Sequence, residues 1–361
     1  MLTPCHVKRP VEDSKLIKSR STTTIIVCIA ATLASALLGF AYATLIGADR
    51  AFGAVAGAAI AGPIVAFEVF AAHGRVAEPL RHLPLWALVL ISTIVWILSI
   101  VAGILIITPT VLNMEVYPEW YQQSTFLQDA TFFLAVALLI NFWVRIHSLV
   151  GGRVLLNYLI GRYHRPLREQ QVFMFVDFLD ARGLSNRLGD IRAQSLISAV
   201  FFDIDAPIGA FGGEIHRYIG DELVVTWPLQ RATKNASCVR CALAIAALLR
   251  ANSEHYRDAY GEAPHVRIAL HGGAVVVSEI GDDRREIVYF GDTINTTARL
   301  RGLAKRIQRR LVVSAALLEH MRLPDGVRAE DMGAFELSGK AETTRVYAVY
   351  DNHEEAVAAA P

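Results

Sequence analysis

The chain has 361 residues, of which 53% are hydrophobic, and its mean hydropathy of +0.38 is too high for an ordinary soluble protein of this length. A formal net charge of +1 provides no strongly basic surface, which argues against a nucleic-acid-binding protein, and four scattered cysteines are too few for a disulfide framework. The composition therefore predicts membrane segments joined to one soluble domain.

Hydrophobic residues are concentrated in the first 150 positions. Four stretches there have about the ~20 apolar residues that are needed to cross a hydrocarbon core. They lie at residues 23–47, 52–72, 85–107 and 126–144. The pattern predicts an N-terminal tail over residues 1–22 and an all-α, four-span transmembrane domain over residues 23–150.

Basic residues near the predicted spans indicate their orientation. They precede the first span, separate the second from the third, and follow the fourth: Lys8, Arg9, Lys15, Lys18, Arg20, Arg75, Arg81, Arg145 and Arg153. The connection over residues 108–125 has no Lys or Arg and carries Glu115 and Glu119. By the positive-inside rule, both termini are expected in the cytoplasm and the chain in the plasma (inner) membrane.

Two features inside the second predicted span are open to more than one interpretation. Gly53 and Gly57, continued by Gly62, have the small-residue spacing that lets helices approach closely, either between two chains or within one bundle. Glu68 would be costly to ionise in lipid, so we expect it to face the bundle or the membrane interface.

After residue 150 the sequence predicts a connector over residues 151–170, a soluble domain over 171–350 and a tail over 351–361. Strands are expected at 171–178, 214–219, 222–227, 265–271, 274–280, 286–290, 311–313 and 344–350, and helices at 184–203, 235–252 and 292–306. Gly220-Asp221 and Gly272-Gly273 are expected to form tight turns between strands. This alternation predicts an α+β domain in which helices pack on a mixed sheet.

Two aspartates and one helix carry the chemical signal. Asp177 ends an apolar strand and Asp221 lies at a hairpin tip, so both carboxylates could project from one sheet edge and bind Mg²⁺ with a nucleotide. Asn295 and Arg299 are four residues apart and share a helix face near its N-terminus, where an arginine suits a charged phosphoryl group. Singly, each could be an ordinary surface residue; together, in this order, they indicate a metal–nucleotide site.

A pair of cysteines forms a CxxC motif within the second predicted helix of the soluble domain. No second pair accompanies Cys238 and Cys241, which favours a reduced, structural pair over zinc binding or redox chemistry.

From about residue 172 to residue 350, these motifs resemble those of the class III adenylate and guanylate cyclases. The resemblance implies a ferredoxin-like mixed sheet and conversion of ATP into 3′,5′-cyclic AMP and pyrophosphate, for intracellular signalling. It implies that Asp177, Asp221 and the backbone carbonyl of Phe178 hold two Mg²⁺ or Mn²⁺ ions per site. Asn295 would position the ribose, and Arg299 would stabilise charge at the α-phosphate.

The resemblance also implies a second chain in the active site. In this family the aspartates come from one catalytic domain and the Asn/Arg pair from the other, so a chain with one such domain should form a homodimer with two equivalent sites. Lys340 resembles the lysine that contacts the β- and γ-phosphates.

The sequence departs from the family pattern in two places. Residues 178–183 lack the usual small Gly and Thr residues of the triphosphate loop and include an acid, for which Arg182 could compensate. Arg217 stands where adenylate cyclases carry Lys, and Val288 where they carry Asp or Thr. Because Arg217 has no acceptor for the guanine N1–H, it favours ATP.

The departures from the family pattern leave two alternatives, a guanylate cyclase and a non-catalytic module that senses nucleotide. A diguanylate cyclase is rejected because no contiguous GGDEF motif is present.

Overall fold

The computed structural model describes isolated helical positions between residues 29 and 67, and the ranges 83–102, 161–282, 285–337 and 343–351. The chain divides into two compact units, one within residues 12–159 and one that contains residues 160–361. Each unit is described here by itself.

In the N-terminal unit, helix α1 spans Leu85–Ala102, is mostly apolar and contains no charged residue. It coincides with most of the third predicted span. A Cβ placed on Gly57 would lie 2.3 Å from the Ser35 backbone oxygen, so the glycine permits close approach of two helical segments within one chain. Glu68 and most of the other predicted spans lie outside the described residues.

Within the described residues, one helical stretch, Leu229–Ala251, has both the length and the hydropathy needed to cross a membrane. It belongs to the C-terminal unit, where Cys238, Cys241 and Ile245 are fully buried in the domain core. Its apolar character is therefore explained by packing inside this domain.

The C-terminal unit is built on an eight-stranded mixed sheet. Its strands are β1 Leu167–Phe178, β2 Glu214–Ile219, β3 Glu222–Pro228, β4 Val266–Ile280, β5 Glu286–Phe290, β6 Leu311–Ser314, β7 Val327–Glu336 and β8 Thr343–Asp351. Their order is β2-β3-β1-β4-β6-β8-β7, with β5 paired to the second half of β4. Strands β4 and β6 are parallel, and the other pairs are antiparallel.

Helices cover both faces of the sheet. They are α2 Ala181–Leu188, α3 Asp190–Ala210, α4 Leu229–Thr233, α5 Ser237–Ala251, α6 Ser253–Tyr260, α7 Asp292–Arg306 and α8 Ala315–Leu318. Alternate residues of β1 point to opposite faces. Val172, Met174 and Val176 join the core under α3 and α5, whereas Phe173 and Phe175 pack with residues of α7. The expected α+β architecture is confirmed.

Several element boundaries differ from the sequence-based expectation. The expected turn at Gly272-Gly273 is wrong, because β4 runs straight through it and these glycines pair with Val172 and Gln171. A Cβ on Gly273 would lie 2.8 Å from the Thr293 hydroxyl, so this glycine serves close packing against α7.

Other elements are longer or more numerous than expected. The strand expected from residue 171 begins at Leu167, because its polar first residues continue the ladder with β4. The helix expected over residues 184–203 is two helices broken at Gly189, whose φ of 79° favours glycine. Strand β7, whose residues are mostly exposed, was not expected.

Candidate functional site

An acidic cluster forms at one end of the sheet. Asp177, near the end of β1, lies opposite Glu222, the first residue of β3, and Asp221 occupies the turn before β3. Gly220 adopts a φ of 62° in this turn, and the Phe178 amide donates a hydrogen bond of 3.4 Å to the Asp221 carbonyl. Carboxylate oxygens of the three acids lie within 4.8 Å of one another, an arrangement that could hold a divalent cation.

Positive side chains surround the acidic cluster. Burial is the main cause that raises the pKa of Asp177; the negative charge of Asp221 acts in the same direction, and Arg301, Arg267 and Lys305 oppose it. Arg267, on β4, places Nη1 3.8 Å from Oδ2 of Asp177. Arg301, on α7, forms an ion pair with Glu222.

One side of helix α7 faces the sheet and the acidic cluster. Ile294 and Ala298 pack on the sheet face that carries Phe173 and Phe175, and Arg301 continues that side of the helix to reach Glu222.

The two residues of α7 that the sequence singled out do not reach the acidic cluster of their own chain. Asn295 is exposed, and its side-chain amide donates a 3.3 Å hydrogen bond to the Gly291 carbonyl. Arg299 lies 3.7 Å from Asp292, and its position two residues before Arg301 puts it on nearly the opposite side of the helix. The structure thus brings Asp177 and Asp221 together, and it leaves Asn295 and Arg299 on another side of α7.

The loop after Asp177 is held by hydrogen bonds that Asp180 accepts from nearby residues. Asp180 adopts a φ of 57°, caps α2 by accepting a 3.2 Å hydrogen bond from the Gly183 amide, and lies 3.0 Å from Arg187. The hydrogen bond from Arg187, followed by that from Gly183, lowers the pKa of Asp180, so its carboxylate stays ionised. Arg182 is exposed on α2.

The two positions expected to select the purine lie on different strands. Arg217, on β2, forms an ion pair with Glu286 of β5, two residues before Val288 on the same side of that strand. His216 packs edge-on against Tyr289 with ring centroids 4.9 Å apart. Lys340 lies outside the described residues.

Sequence reasoning missed Glu222, Arg301 and Glu286. Glu222 directly follows Asp221, and the antiparallel pairing of β1 and β3 is what places it opposite Asp177. Arg301 lies seven residues after Ile294, so helical periodicity places it on the same side of α7, the side that faces the sheet.

Known proteins resemble both the C-terminal unit and most of the chain. The family model described as the adenylate and guanylate cyclase catalytic domain matches residues 166–350. The chain is 36% identical over 314 residues to "Adenylate cyclase 2" of Rhizobium meliloti (strain 1021), covering 85% of this chain and 86% of that relative. It is 25% identical to "Adenylate cyclase 1" of the same organism over 185 residues, 50% of this chain and 28% of that one.

Among solved structures, a bacterial light-regulated adenylyl cyclase superposes with a TM-score of 0.50. The sequence identity is 21%, and the alignment covers 62% of this chain and 68% of that one. This likeness supports the fold of the C-terminal unit.

Proposed function

Because the chain belongs to the adenylate and guanylate cyclase catalytic domain family, we propose that it converts ATP into 3′,5′-cyclic AMP and pyrophosphate. The observation that carries this proposal is the convergence of Asp177, Asp221 and Glu222 at one edge of the sheet, with carboxylate oxygens within 4.8 Å. The relative that is 36% identical and named an adenylate cyclase supports ATP as the substrate.

The acidic cluster fits hard divalent cations, because carboxylate and carbonyl oxygens are the ligands that Mg²⁺ and Mn²⁺ prefer. Asp177, Asp221 and the backbone carbonyl of Phe178 would hold two such ions. These would supply Lewis acidity for the ribose 3′-hydroxyl and charge neutralisation for the polyphosphate. Arg299 would stabilise the charge that develops at the α-phosphate, while Asn295 would position the ribose and Lys340 the terminal phosphates.

We propose that the working enzyme is a homodimer with shared sites. Asn295 and Arg299 face away from the acidic cluster of their own chain, so that cluster lacks these two residues in a single chain. A two-fold arrangement would supply them from the partner chain and create two equivalent sites.

We also propose that residues 23–150 anchor the enzyme in the plasma (inner) membrane by four spans, with both termini in the cytoplasm. The apolar helix Leu85–Ala102 and the distribution of Lys and Arg support this topology. The 314-residue match to the Rhizobium protein extends well beyond residues 166–350, so the likeness is not confined to the catalytic domain. Residues 151–170 would connect the two domains.

One observation favours GTP as a second candidate substrate. Arg217 has no hydrogen-bond acceptor of its own, but its ion-pair partner Glu286 places a carboxylate beside it. A carboxylate at this position could accept from the guanine N1–H. ATP remains the proposal because of the named relative.

Purified full-length protein in detergent should form cyclic AMP from ATP with Mg²⁺ or Mn²⁺, and more slowly cyclic GMP from GTP. Asp177→Ala and Asp221→Ala should abolish product, whereas Asp258→Ala, which removes an exposed carboxylate on α6, should not. If wild type forms neither cyclic nucleotide, the enzymatic function is refuted. Retained nucleotide binding in that case would support a sensing module.

A further inference from the structure

The acidic cluster already contains a cation from its own chain. Arg301 reaches from α7 to an oxygen of Glu222, and the two side chains are 26% and 21% exposed. On the other side of the cluster, Arg267 lies beside Asp177 with side chains 9% and 17% exposed. Two guanidinium groups therefore lie beside three carboxylates that are partly buried.

The two arginines differ in how freely they can move. Arg267 belongs to the central strand β4, whose pairing with β1 holds its backbone in place, and its side chain is 9% exposed. Arg301 lies on the surface of helix α7, near the exposed residues Gly302 and Lys305. Its side chain is 26% exposed, compared with 9% for Arg267. Arg301 is thus the cation that can leave the cluster without disturbing the sheet.

Electrostatics gives Arg301 a defined role. Three carboxylates so close together repel one another, and partial burial increases that repulsion, so a neighbouring cation stabilises the cluster when no metal is bound. A divalent ion that binds there would neutralise the same negative charge more strongly, and it would compete with the guanidinium for Glu222.

We propose that Arg301 occupies the place of a divalent cation at Glu222 in the metal-free protein, and that metal entry displaces it. Arg301 is then a positioning residue that lowers metal affinity and keeps the three carboxylates together. Glu222, once released, becomes a third carboxylate for the metal. The inference rests on the proposed metal-dependent function of this cluster.

The test measures Mn²⁺ binding to the full-length protein in detergent without nucleotide, from the electron paramagnetic resonance signal of free Mn²⁺. Arg301→Gln should bind Mn²⁺ more tightly by roughly three- to fivefold, the equivalent of one partly exposed ion pair. Glu222→Gln should bind it more weakly than wild type. Arg306→Gln is the matched control, since that exposed arginine lies on the same helix five residues after Arg301 and should leave Mn²⁺ binding unchanged.

Asp177→Asn separates failure of this inference from failure of the proposed function. If Asp177→Asn leaves Mn²⁺ binding unchanged, the cluster is not the metal site and both proposals fail. If Asp177→Asn weakens binding but Arg301→Gln binds Mn²⁺ as wild type does, or more weakly, the role of Arg301 is overturned. Should Arg301→Gln not fold, Arg301→Met keeps the aliphatic stem and must show the same tightening.

Discussion

Two inactive variants should restore activity to each other if the active site is shared between chains. Asp177→Ala removes a cluster carboxylate, and Arg299→Ala removes a charge on the side of α7 that faces away from that cluster. In a homodimer of either variant, both sites carry one defect, so each variant alone should be inactive.

The expected recovery follows from counting sites. When the two variants pair at random, half of the dimers are mixed, and each mixed dimer has one intact site and one site with both defects. Intact sites then amount to about a quarter of those in wild type, so an equal mixture should show about a quarter of wild-type activity. Purified mixed dimers should show about half.

The assay requires that chains pair during synthesis. Co-expression of the two variants with different affinity tags, followed by purification on both tags, isolates the mixed dimer, and cyclic nucleotide is then measured per mole of dimer. A mixed dimer of Asp177→Ala with Asp221→Ala is the matched control. Both defects then remove cluster carboxylates, so each of its sites keeps one defect and no activity should return.

One result would refute this reasoning. If the mixed dimer of Asp177→Ala and Arg299→Ala is as inactive as each variant alone, while the wild-type dimer purified in the same way is active, the site lies within one chain. The side of α7 that carries Arg299 would then need another role.

Three further predictions concern stability and nucleotide affinity. Burial, followed by the positive charge of Arg217, lowers the pKa of His216 to about 4, so the unfolded chain takes up this proton first as pH falls. The free energy of unfolding should therefore decrease by at most about 3 kcal/mol between pH 6.5 and pH 4. His216→Phe should remove this contribution, as measured by urea unfolding with pulse proteolysis as the probe. Gly213→Ala should destabilise the domain by about 1–3 kcal/mol in the same assay at pH 7, because its Cβ would lie 2.6 Å from the buried Trp227 ring. Gly209→Ala, whose Cβ meets no atom within 4 Å, should not destabilise it. Asp180→Asn should lower the KM for ATP, because it removes a negative charge from the expected triphosphate loop while keeping a residue that tolerates positive φ; an unchanged KM would show that this loop does not approach the phosphates.

The acidic half of the candidate site could be predicted from the sequence because it depends on the local order of residues. Asp177 lies near the end of an apolar strand, and Asp221 occupies a glycine-containing turn. Both features can be recognised from neighbouring residues in the sequence alone. Strand pairing then brings them together, since β3 folds back on β1. The contribution of Glu222 depends on the register of that pairing, which a single sequence does not specify.

The continuous strand β4 and the ion pair of Arg217 with Glu286 could not be predicted for a related reason. Gly272-Gly273 is a strong turn signal locally, but tertiary packing against β1 and α7 overrides it, since only a residue without a side chain fits there. Arg217 and Glu286 are 69 residues apart in sequence and meet because β2 and β5 approach across the sheet face. Local sequence patterns do not indicate a contact between residues so far apart in the chain.

Helix α7 links the two proposals made for this chain. Successive residues of an α-helix are about 100° apart, so Arg299 and Arg301 point roughly 160° away from each other around its axis. Arg301 serves the acidic cluster of its own chain, and in the proposed dimer Arg299 serves the cluster of the partner. Two arginines that are two residues apart on one helix therefore belong to different sites of the proposed dimer.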